Sequence, residues 1–367
     1  MPRAGQAGDL LLAALREPGR CGDLAESQWD LLIRVARRAG LLAHLGWRLE
    51  DLRALETLPG RVREVLLAAR VAPAHQGQRV RWEVGHLARV LGPLQTRLVL
   101  LKGAAYLMLD LPLARGRIVT DVDLLVPREA LAPVEQALVA NGWEAMKLQP
   151  YDQRYYRAWM HELPPLRHRS RQTVVDVHHT LTAPTSRYRL DPDRLLARVV
   201  PVTADPRFAT LCPEDMVLNS TVHLFLEGDP DEGLRLRDLV DIRELLGHFG
   251  QEADFWDALI RRARELRLER LLSYALRYCG RLLCGPVPPG SEARTGGRPN
   301  PLVLALMDAI VQGAILPDHP DQPLRRKAFA RWLAYTRAHW LRMPPGLLAR
   351  HLARKARARL AGEAVEV

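Results

Sequence analysis

The sequence predicts an α+β protein in which a small mixed sheet is flanked by helical segments on both sides. Between residues 96 and 200, short apolar runs typical of strands alternate with helical patterns in the order strand, helix, strand, helix, strand. Outside that range, apolar residues recur at helical spacing. We therefore expect five units, which are an N-terminal helical segment (1–95), an α/β core (96–200), a C-terminal helical domain (201–285), a linker (286–300) and a basic helical tail (301–367).

The N-terminal segment shows three helical patterns and no residues that suggest chemistry. SQWDLLIRVARRAG begins at Ser27 and has Asp30 three residues later, which resembles a capping box, and Gly40 is the expected stop. RVREVLLAAR from Arg61 and RWEVGHLARVLGPL from Arg81 continue the helical pattern.

The core begins with RLVLLKG, an apolar run ending in glycine that is typical of a buried strand. GAAYLMLD then predicts a helix, LPLARGRIVT a loop and DVDLLV a second strand. A helix is expected from Pro127 to Gly142, because proline favours the first turn and glycine the C-terminal end. QTVVDVHHTL, from Gln172, predicts the third strand.

Helices are expected again after Pro201, in CPEDMVLNSTVHLFLEG, in GLRLRDLVDIRELLGHFG and from residue 255 to residue 284. PVPPGSEARTGGRPNP is the clearest breaker in the chain. Beyond it, the tail from Arg325 to Arg359 carries Trp332, Tyr335 and Trp340 among its basic residues. Such a pattern is compatible with binding to RNA or a membrane surface, although a solvated helix face is the commoner outcome.

Composition indicates a globular protein with an anionic partner. Of 367 residues, 48% are hydrophobic and 26% charged, which excludes a disordered chain, and the net charge of +11 favours a nucleotide, a nucleic acid or an acidic surface. The four cysteines show no zinc-binding spacing and are expected to be reduced thiols. The best apolar window, from Leu302, is short and contains Asp308, and the N-terminus lacks a signal-peptide pattern, so we expect a cytoplasmic protein without a transmembrane span.

Two aspartates on the second predicted strand are the first candidates for chemistry. Successive side chains of a strand alternate between faces, so Asp121 and Asp123 would point the same way. Carboxylates this close repel each other unless a cation or a hydrogen-bond network lies between them. The pair is therefore either a solvated end of a strand or half of a metal site.

Three neighbouring features favour the metal site. Lys102 and Gly103 lie at a turn from strand to helix, where small residues let backbone N–H groups approach a phosphate. Arg117 precedes Asp121 by four residues and is within reach of the same anion. Asp176 adds a third carboxylate from the third strand. Together they provide what two-cation phosphoryl chemistry requires.

Several roles remain open for the histidines in and near the third strand. His178 would share the face of Asp176 and either orient it, contact substrate or lie half-buried at the sheet edge. Zinc binding by Asp176, His178 and His179 is disfavoured, because adjacent residues on a strand diverge. HELPPLRH, from His161, is expected beside the site, with Glu162 unassigned.

The stretches LLKGAAYLML, RIVTDVDLLV and VVDVHH resemble the signature stretches of a little-characterised bacterial nucleotidyltransferase family of the polymerase-β-like superfamily. HLFLEG followed by LRLRDLVDI is similar to the family's His and Arg-Asp run, and the resemblance is clearest from near Val80 to near Gly250. It implies an α/β nucleotidyltransferase core and a Mg²⁺-dependent transfer of a nucleoside monophosphate from an NTP to an acceptor, with release of pyrophosphate.

The resemblance also implies roles for individual residues. Asp121 and Asp123 match the metal-binding pair and Asp176 the third carboxylate, so two Mg²⁺ ions are expected, with Mn²⁺ as an alternative. Gly103 matches the glycine of the superfamily's Gly-Gly/Ser turn, whereas Ala104 lacks the hydroxyl that some relatives place near the phosphates. Lys102 and Arg117 would neutralise charge on the leaving pyrophosphate.

A predicted helix after residue 233 carries Arg237, Asp238 and Asp241. Arg237 and Asp241 are four residues apart, which favours an ordinary surface ion pair. The resemblance implies instead that this helix closes over the nucleotide or the acceptor. His223, on the preceding helix, is expected to be a packed residue.

Three functions follow from these patterns. The leading one is transfer of NMP to an unidentified acceptor, which is a small molecule, a peptide, a protein side chain or a tRNA end. The second is a non-catalytic, regulatory or antitoxin-like member of the same fold, which would not bind Mg²⁺–NTP. The third is an RNA-binding protein acting through its basic tail, which would be sensitive to salt and indifferent to the aspartates.

Overall fold

A computed structural model of the chain describes residues 6–146, 150–227, 233–322 and 324–350. Within these residues, helices from both ends of the chain enclose one mixed sheet of seven strands. The predicted α+β class is therefore confirmed.

The sheet is built around the strand that carries the two aspartates. Its spatial order is β3-β4-β5-β2-β1-β7-β6. The β2–β5 and β1–β7 pairs are parallel and the other neighbours are antiparallel. The strands are β1 (Leu98–Leu100), β2 (Asp121–Leu125), β3 (Trp143–Ala145), β4 (Leu166–His168), β5 (Val174–His178), β6 (Val200–Pro201) and β7 (Phe208–Thr210).

The sequence predicted β1, β2 and β5 but not the other four strands. Those four contain two or three residues each, which is too short for an alternating pattern to be recognised, whereas the equally short β1 was predicted from the longer apolar run that contains it. The register of β2 on β5 matters most for function, because it sets Asp123 opposite Asp176 and Leu125 opposite His178. Side chains directly opposite on neighbouring strands share a face, so Asp121, Asp123, Asp176 and His178 all project from one side of the sheet.

The predicted helical N-terminal segment consists of five α-helices. They are α1 (Gln6–Arg16), α2 (Glu26–Arg38), α3 (Leu42–Asp51), α4 (Gly60–Ala69) and α5 (Val71–Leu91). The predicted capping pair of α2 is wrong, since the helix begins before Ser27 and the N–H of Ala25 donates to Gln28 Oε1 over 2.9 Å. Its predicted stop is confirmed, because Gly40 follows the helix with a left-handed φ of +66°.

The remaining helices surround the sheet and continue to the end of the described chain. The stretch from Phe255 to Cys284, predicted as helical, forms two helices separated by a short break. The predicted linker contains one turn of helix. These helices are α6 (Lys102–Met108), α7 (Leu131–Ala140), α8 (Pro150–Trp159), α9 (Pro192–Leu196), α10 (Pro213–Leu226), α11 (Leu236–Phe249), α12 (Phe255–Glu265), α13 (Glu269–Leu283), α14 (Ser291–Arg294), α15 (Pro301–Ile315) and α16 (Arg325–Arg342).

One cluster of buried apolar side chains connects the helices to both faces of the sheet and extends from α1 to α16. The N- and C-terminal helices are in direct contact, since Arg16 Nε on α1 donates to the carbonyl of Leu282 on α13 over 2.8 Å. Within the described residues, the helices are all too short or too polar to cross a membrane. The four cysteines are unpaired in the structure.

The predicted basic tail is described as far as residue 350, and its continuation to Arg359 lies outside the described residues. Helix α16 packs its alanines, among them Ala330 and Ala334, against neighbouring elements. Trp332 and Trp340 are 56% and 45% exposed. The helix therefore has a packed face and a solvated face that includes two tryptophans.

The loop between α6 and β2 fits against α3 so closely that it requires glycine at one position. A Cβ on Gly116 would lie 2.6 Å from Cα and 2.7 Å from N of His44, and backbone atoms cannot yield as a flexible side chain does. We expect Gly116→Ala to lower the free energy of unfolding by about 1–3 kcal/mol, which is typical of overpacking. Urea unfolding followed by circular dichroism measures the change.

Gly85 provides the matched control, since a Cβ there would have nothing within 4 Å and the residue lies inside α5. Gly85→Ala should leave stability unchanged or raise it by up to about 1 kcal/mol, because alanine is the better helix former. Equal stability of the two variants would contradict the close fit at Gly116.

Candidate active site

The aspartate-bearing face of β2 borders a cavity of about 510 Å³. The cavity is formed by five parts of the chain, namely the end of α2, the α6–β2 region, the start of α11 with the end of α10, the end of α15 with the segment after it, and α16. Six of the residues singled out from the sequence line it: Lys102, Gly103, Arg117, Asp121, Asp123 and Arg237. The other four, which lie beside or behind these, are Ala104, Asp176, His178 and Asp241.

Asp123 is buried within a hydrogen-bond network. Lys102 Nζ donates to Asp123 Oδ1 over 3.1 Å, and His178 Nε2 lies 3.0 Å from the same oxygen. Burial would raise the pKa of the Asp123 carboxyl, but Lys102 and His178 outweigh burial and hold the pKa below its ordinary range. Asp123 is therefore ionised, and two side chains share its charge on one oxygen.

The pKa values of Asp121 and Asp176 are raised, in contrast to that of Asp123. Burial and then the charge of Asp123 raise the pKa of Asp121. Burial, followed by the charges of Glu162, Asp123 and Asp121, raises the pKa of Asp176 well above its ordinary value. Asp176 Oδ1 is buried and has no hydrogen-bond partner among the described residues. The negative charge of the carboxylates on this face of the sheet is therefore only partly neutralised by the protein groups around them.

The turn that was predicted to cradle a phosphate is strained and closely packed. Lys102 adopts a φ of +43°, a left-handed conformation that is uncommon for residues with a side chain. A Cβ on Gly103 would lie 2.8 Å from both γ-methyl groups of Val119, so glycine is required there. Ala104 is fully buried. Its side chain belongs to the core, while Gly103 and Lys102 face the cavity.

Lys102 contacts two carboxylates at once, because its Nζ also lies 3.8 Å from Glu227 Oε2. Burial opposes the charge of the ammonium group, but Asp123 and Glu227 outweigh it and raise the pKa of Lys102. Lys102 is therefore a permanent cation that neutralises part of the carboxylate charge at the base of the cavity.

The predicted surface ion pair between Arg237 and Asp241 is wrong. Asp241 is buried and forms an ion pair with Arg117, whereas Arg237 donates a hydrogen bond of 2.5 Å to the carbonyl of Gly40. Burial and the nearby Arg117 lower the pKa of Arg237 to about 9. Asp241 thus holds Arg117 at the cavity, which Arg237 also lines.

Three residues that the sequence did not single out as functional join the network: His161, Glu162 and Glu227. Glu227 Oε1 lies 3.3 Å from His161 Nε2, and its Oε2 lies 2.5 Å from His223 Nδ1. Glu162 forms a β-bridge with His178, beyond the regular strands. No motif marks these residues, since their contacts with β2 and β5 depend on how distant segments fold back.

His223 is more than the packed residue that was expected. It faces the cavity, with Nε2 2.6 Å from an Arg235 nitrogen and 3.6 Å from Asp238 Oδ2. The cations that line the cavity outnumber its four aspartates, and they come mainly from the helices opposite β2. These cations are Arg38, Lys102, Arg117, Arg235, Arg237 and Arg331.

A mixed sheet whose strand carries paired aspartates beside an arginine-lined cavity is the arrangement of a nucleotidyltransferase. The chain belongs to the family described as "Uncharacterised nucleotidyltransferase", which matches residues 25–284. The match runs from the start of α2 to the end of α13 and includes all seven strands. Neither the curated proteins nor the solved structures contain a match to the chain.

Proposed function

We propose that the protein transfers a nucleoside monophosphate from an NTP to an acceptor hydroxyl, using Asp121, Asp123 and Asp176 to hold divalent cations. One observation carries the proposal, which is that three carboxylates project from one face of the β2–β5 pair and that two of them, Asp121 and Asp123, line a cavity that arginines also line. Neighbouring strands are about 4.8 Å apart, so Asp123 and Asp176 begin from adjacent positions.

The donor set fits magnesium. Mg²⁺ prefers carboxylate oxygens and is bound through one or two of them together with substrate phosphates. The buried Asp176 Oδ1 lacks a protein partner among the described residues, and burial, followed by repulsion from neighbouring carboxylates, raises the pKa values of Asp176 and Asp121. A cation between these groups would remove that repulsion and favour the ionised form of each. Mn²⁺ would be accepted by the same oxygens.

In the proposed reaction, the acceptor oxygen forms a bond to the α-phosphorus, and the bond from the α-phosphorus to the bridging oxygen of the β-phosphate breaks. The hydroxyl proton would pass to a carboxylate, a role that we assign to Asp176, and pyrophosphate would leave with the bond electrons. The bound cations would supply charge neutralisation on the phosphates and polarise the acceptor hydroxyl.

The chain's own cations would stabilise the leaving group. Arg117 is held at the cavity by Asp241, and Arg237 by the carbonyl of Gly40, so both are positioned before any ligand binds. Preorganised charges of this kind lower the cost of forming a transition state more than mobile ones do. Lys102 would contribute charge to the same group, next to Asp123. A cavity of about 510 Å³ is within the range of small-molecule sites.

Binding of the four NTPs with and without Mg²⁺ tests the proposal, because it needs no knowledge of the acceptor. We expect one NTP at least to bind, and removal of Mg²⁺ by a chelator to weaken its binding by about tenfold or more, since the metal links triphosphate to carboxylates. Isothermal titration calorimetry measures both. If wild-type protein binds no NTP in the presence of Mg²⁺, the proposed transfer reaction is wrong.

The acceptor can then be sought with the bound nucleotide. Incubation with an α-³²P-labelled NTP and cellular fractions of small molecules, peptides, proteins or tRNA separates the four acceptor classes. Labelled product together with released pyrophosphate is the expected result. Released phosphate without labelled product would indicate hydrolysis instead of transfer.

A further inference from the structure

A second group of possible metal ligands lies beside the aspartates but is built from different donor atoms. His161, Glu162 and His178 each offer one ligand atom, and the three atoms lie within 4.8 Å of one another. Both histidines are buried, at 4% and 2% exposure, and Glu162 is half-buried. None of the three is among the residues that line the cavity of the aspartates.

The backbone fixes this group in place. The segment around Glu162 runs antiparallel to the end of β5, with Leu163 N donating to the carbonyl of Val177 and His179 N to that of His161, each over 2.9 Å. The rings of His161 and His178 stack with centroids 5.2 Å apart. Two imidazoles are thus presented side by side, with a carboxylate next to both.

The distances are close to those of a bound ion. Glu162 Oε2 lies 3.3 Å from His178 Nδ1 and 3.8 Å from His161 Nε2. A tetrahedral ion with bonds of 2.0–2.1 Å sets its ligands about 3.3 Å apart. His178 Nδ1 is buried and makes no hydrogen bond among the described residues, so this nitrogen is available to bind an ion.

Asp123 completes the arrangement from the other side of the His178 ring. Its Oδ1 accepts from His178 Nε2 over 3.0 Å, which leaves Nδ1 as the nitrogen that faces Glu162. A carboxylate that accepts from one nitrogen of an imidazole while the other binds metal is the usual support for a histidine ligand. The carboxylate and the histidine of such an arrangement are therefore already in contact.

We propose that His161, Glu162 and His178 bind a zinc-type divalent cation at a site separate from the one formed by Asp121, Asp123 and Asp176. Two imidazole nitrogens and one carboxylate suit Zn²⁺ and its transition-metal relatives, whereas Mg²⁺ prefers oxygen ligands alone. Three protein ligands leave a fourth position for water, or for Glu227, whose Oε1 is 3.3 Å from His161 Nε2. The ion would fix His178 and, through it, Asp123.

Hydrogen bonds alone could also hold His161, Glu162 and His178 together. Measuring metal binding distinguishes a hydrogen-bonded cluster from a metal site. Purified full-length protein is stripped with a chelator, and Zn²⁺ affinity is measured by competition with a chromogenic chelator, in excess Mg²⁺ and without nucleotide. We expect one tight equivalent per chain. His161→Ala and Glu162→Gln should each weaken it by about 100-fold or more, and Asp123→Asn by about 10- to 100-fold, as loss of an outer carboxylate does.

Two controls keep the assignment specific. His75→Ala removes an exposed histidine from α5 and should leave Zn²⁺ affinity unchanged. Asp121→Asn removes a carboxylate of the cavity and should also leave it unchanged. If Asp121→Asn weakens Zn²⁺ as strongly as His161→Ala does, the ion occupies the aspartate site and the proposal is wrong.

The visible absorption of Co²⁺ added to stripped wild-type protein gives a readout that depends on no variant. An intense band typical of four or five ligands is expected, and the weak band of hydrated Co²⁺ would overturn the proposal. Because these measurements use no NTP, the zinc site stands or falls independently of the proposed transfer reaction. Zn²⁺ binding without NTP binding would leave this inference intact and remove only the proposed function.

Discussion

Asp121→Asn is expected to weaken Mg²⁺-dependent NTP binding by about 100-fold or more and to abolish detectable transfer. A direct metal ligand contributes several kcal/mol of charge stabilisation, and each 1.4 kcal/mol corresponds to a factor of ten. Asp121 is the clearest of the three aspartates to test, because within the described residues its carboxylate accepts one side-chain hydrogen bond, a long one of 3.5 Å from Thr120 Oγ1. Titration calorimetry with and without Mg²⁺ measures the effect.

The same substitution at Asp110 controls for the change in net charge. Asp110 is exposed and lies outside the cavity, and its φ of +52° suits asparagine as well as aspartate. Asp110→Asn should bind NTP as wild type does. Equal binding by Asp121→Asn and wild type would show that Asp121 holds no metal and would remove the main support for the proposed function.

Asp123→Asn gives a larger but less specific effect. It replaces the carboxylate that accepts from both Lys102 and His178 with a neutral amide, so a buried ammonium group would lose its closest negative charge. Leaving a buried charge unpaired is strongly destabilising. A loss of NTP binding by this variant therefore has to be compared with its urea-unfolding midpoint, whereas Asp121→Asn should retain the wild-type midpoint.

The proximity of the aspartates could be predicted because it follows from local rules. Spacing of two on a strand sets Asp121 and Asp123 on one face, and parallel pairing with the next apolar strand brings Asp176 to the same face. The apolar runs of β1, β2 and β5 are long enough to be recognised. The catalytic role of these residues remains a prediction, and so do the domain boundaries.

The residues that were missed act through contacts that no local pattern encodes. Glu162 reaches His178 across sixteen positions by a β-bridge, and Glu227 reaches Lys102 only because α10 ends beside α6. Asp241 was assigned to Arg237 because residues four apart on a helix are neighbours. The buried face of α11 instead directs it to Arg117 on a distant loop. Helical spacing identifies candidate partners, whereas tertiary packing decides between them.

The largest effect on stability is expected at the ion pair that attaches α12 to the start of α10. Arg262 donates to both carboxylate oxygens of Asp215 over 2.7 Å and also to the carbonyl of Arg194. Asp215 is fully buried and Arg262 is 3% exposed. Arg262→Ala would leave a buried carboxylate and a carbonyl without their donors, so we expect a loss of about 3–5 kcal/mol in the free energy of unfolding.

Arg207 provides the matched surface pair, since it donates to both oxygens of Asp205 over 2.8 and 2.7 Å but is exposed. Arg207→Ala should unfold at the same urea concentration as wild type, because solvent screens an exposed pair. A comparable loss at both sites would contradict the role assigned to burial.

Replacing both members of the buried pair shows whether the pair affects only stability or also nucleotide binding at the candidate active site. Arg262→Met with Asp215→Leu removes the charge together with its partner, and such replacements are often neutral or stabilising. We expect the double variant to recover most of the stability that Arg262→Met loses alone, as measured by urea unfolding. Helix α10 also carries His223 into the cavity and precedes Glu227, so a correctly packed double variant should bind Mg²⁺–NTP as wild type does. If stability is recovered but binding is lost, apolar packing does not position α10 as accurately as the ion pair does. The contact from Glu227 to Lys102 would then depend on the ion pair.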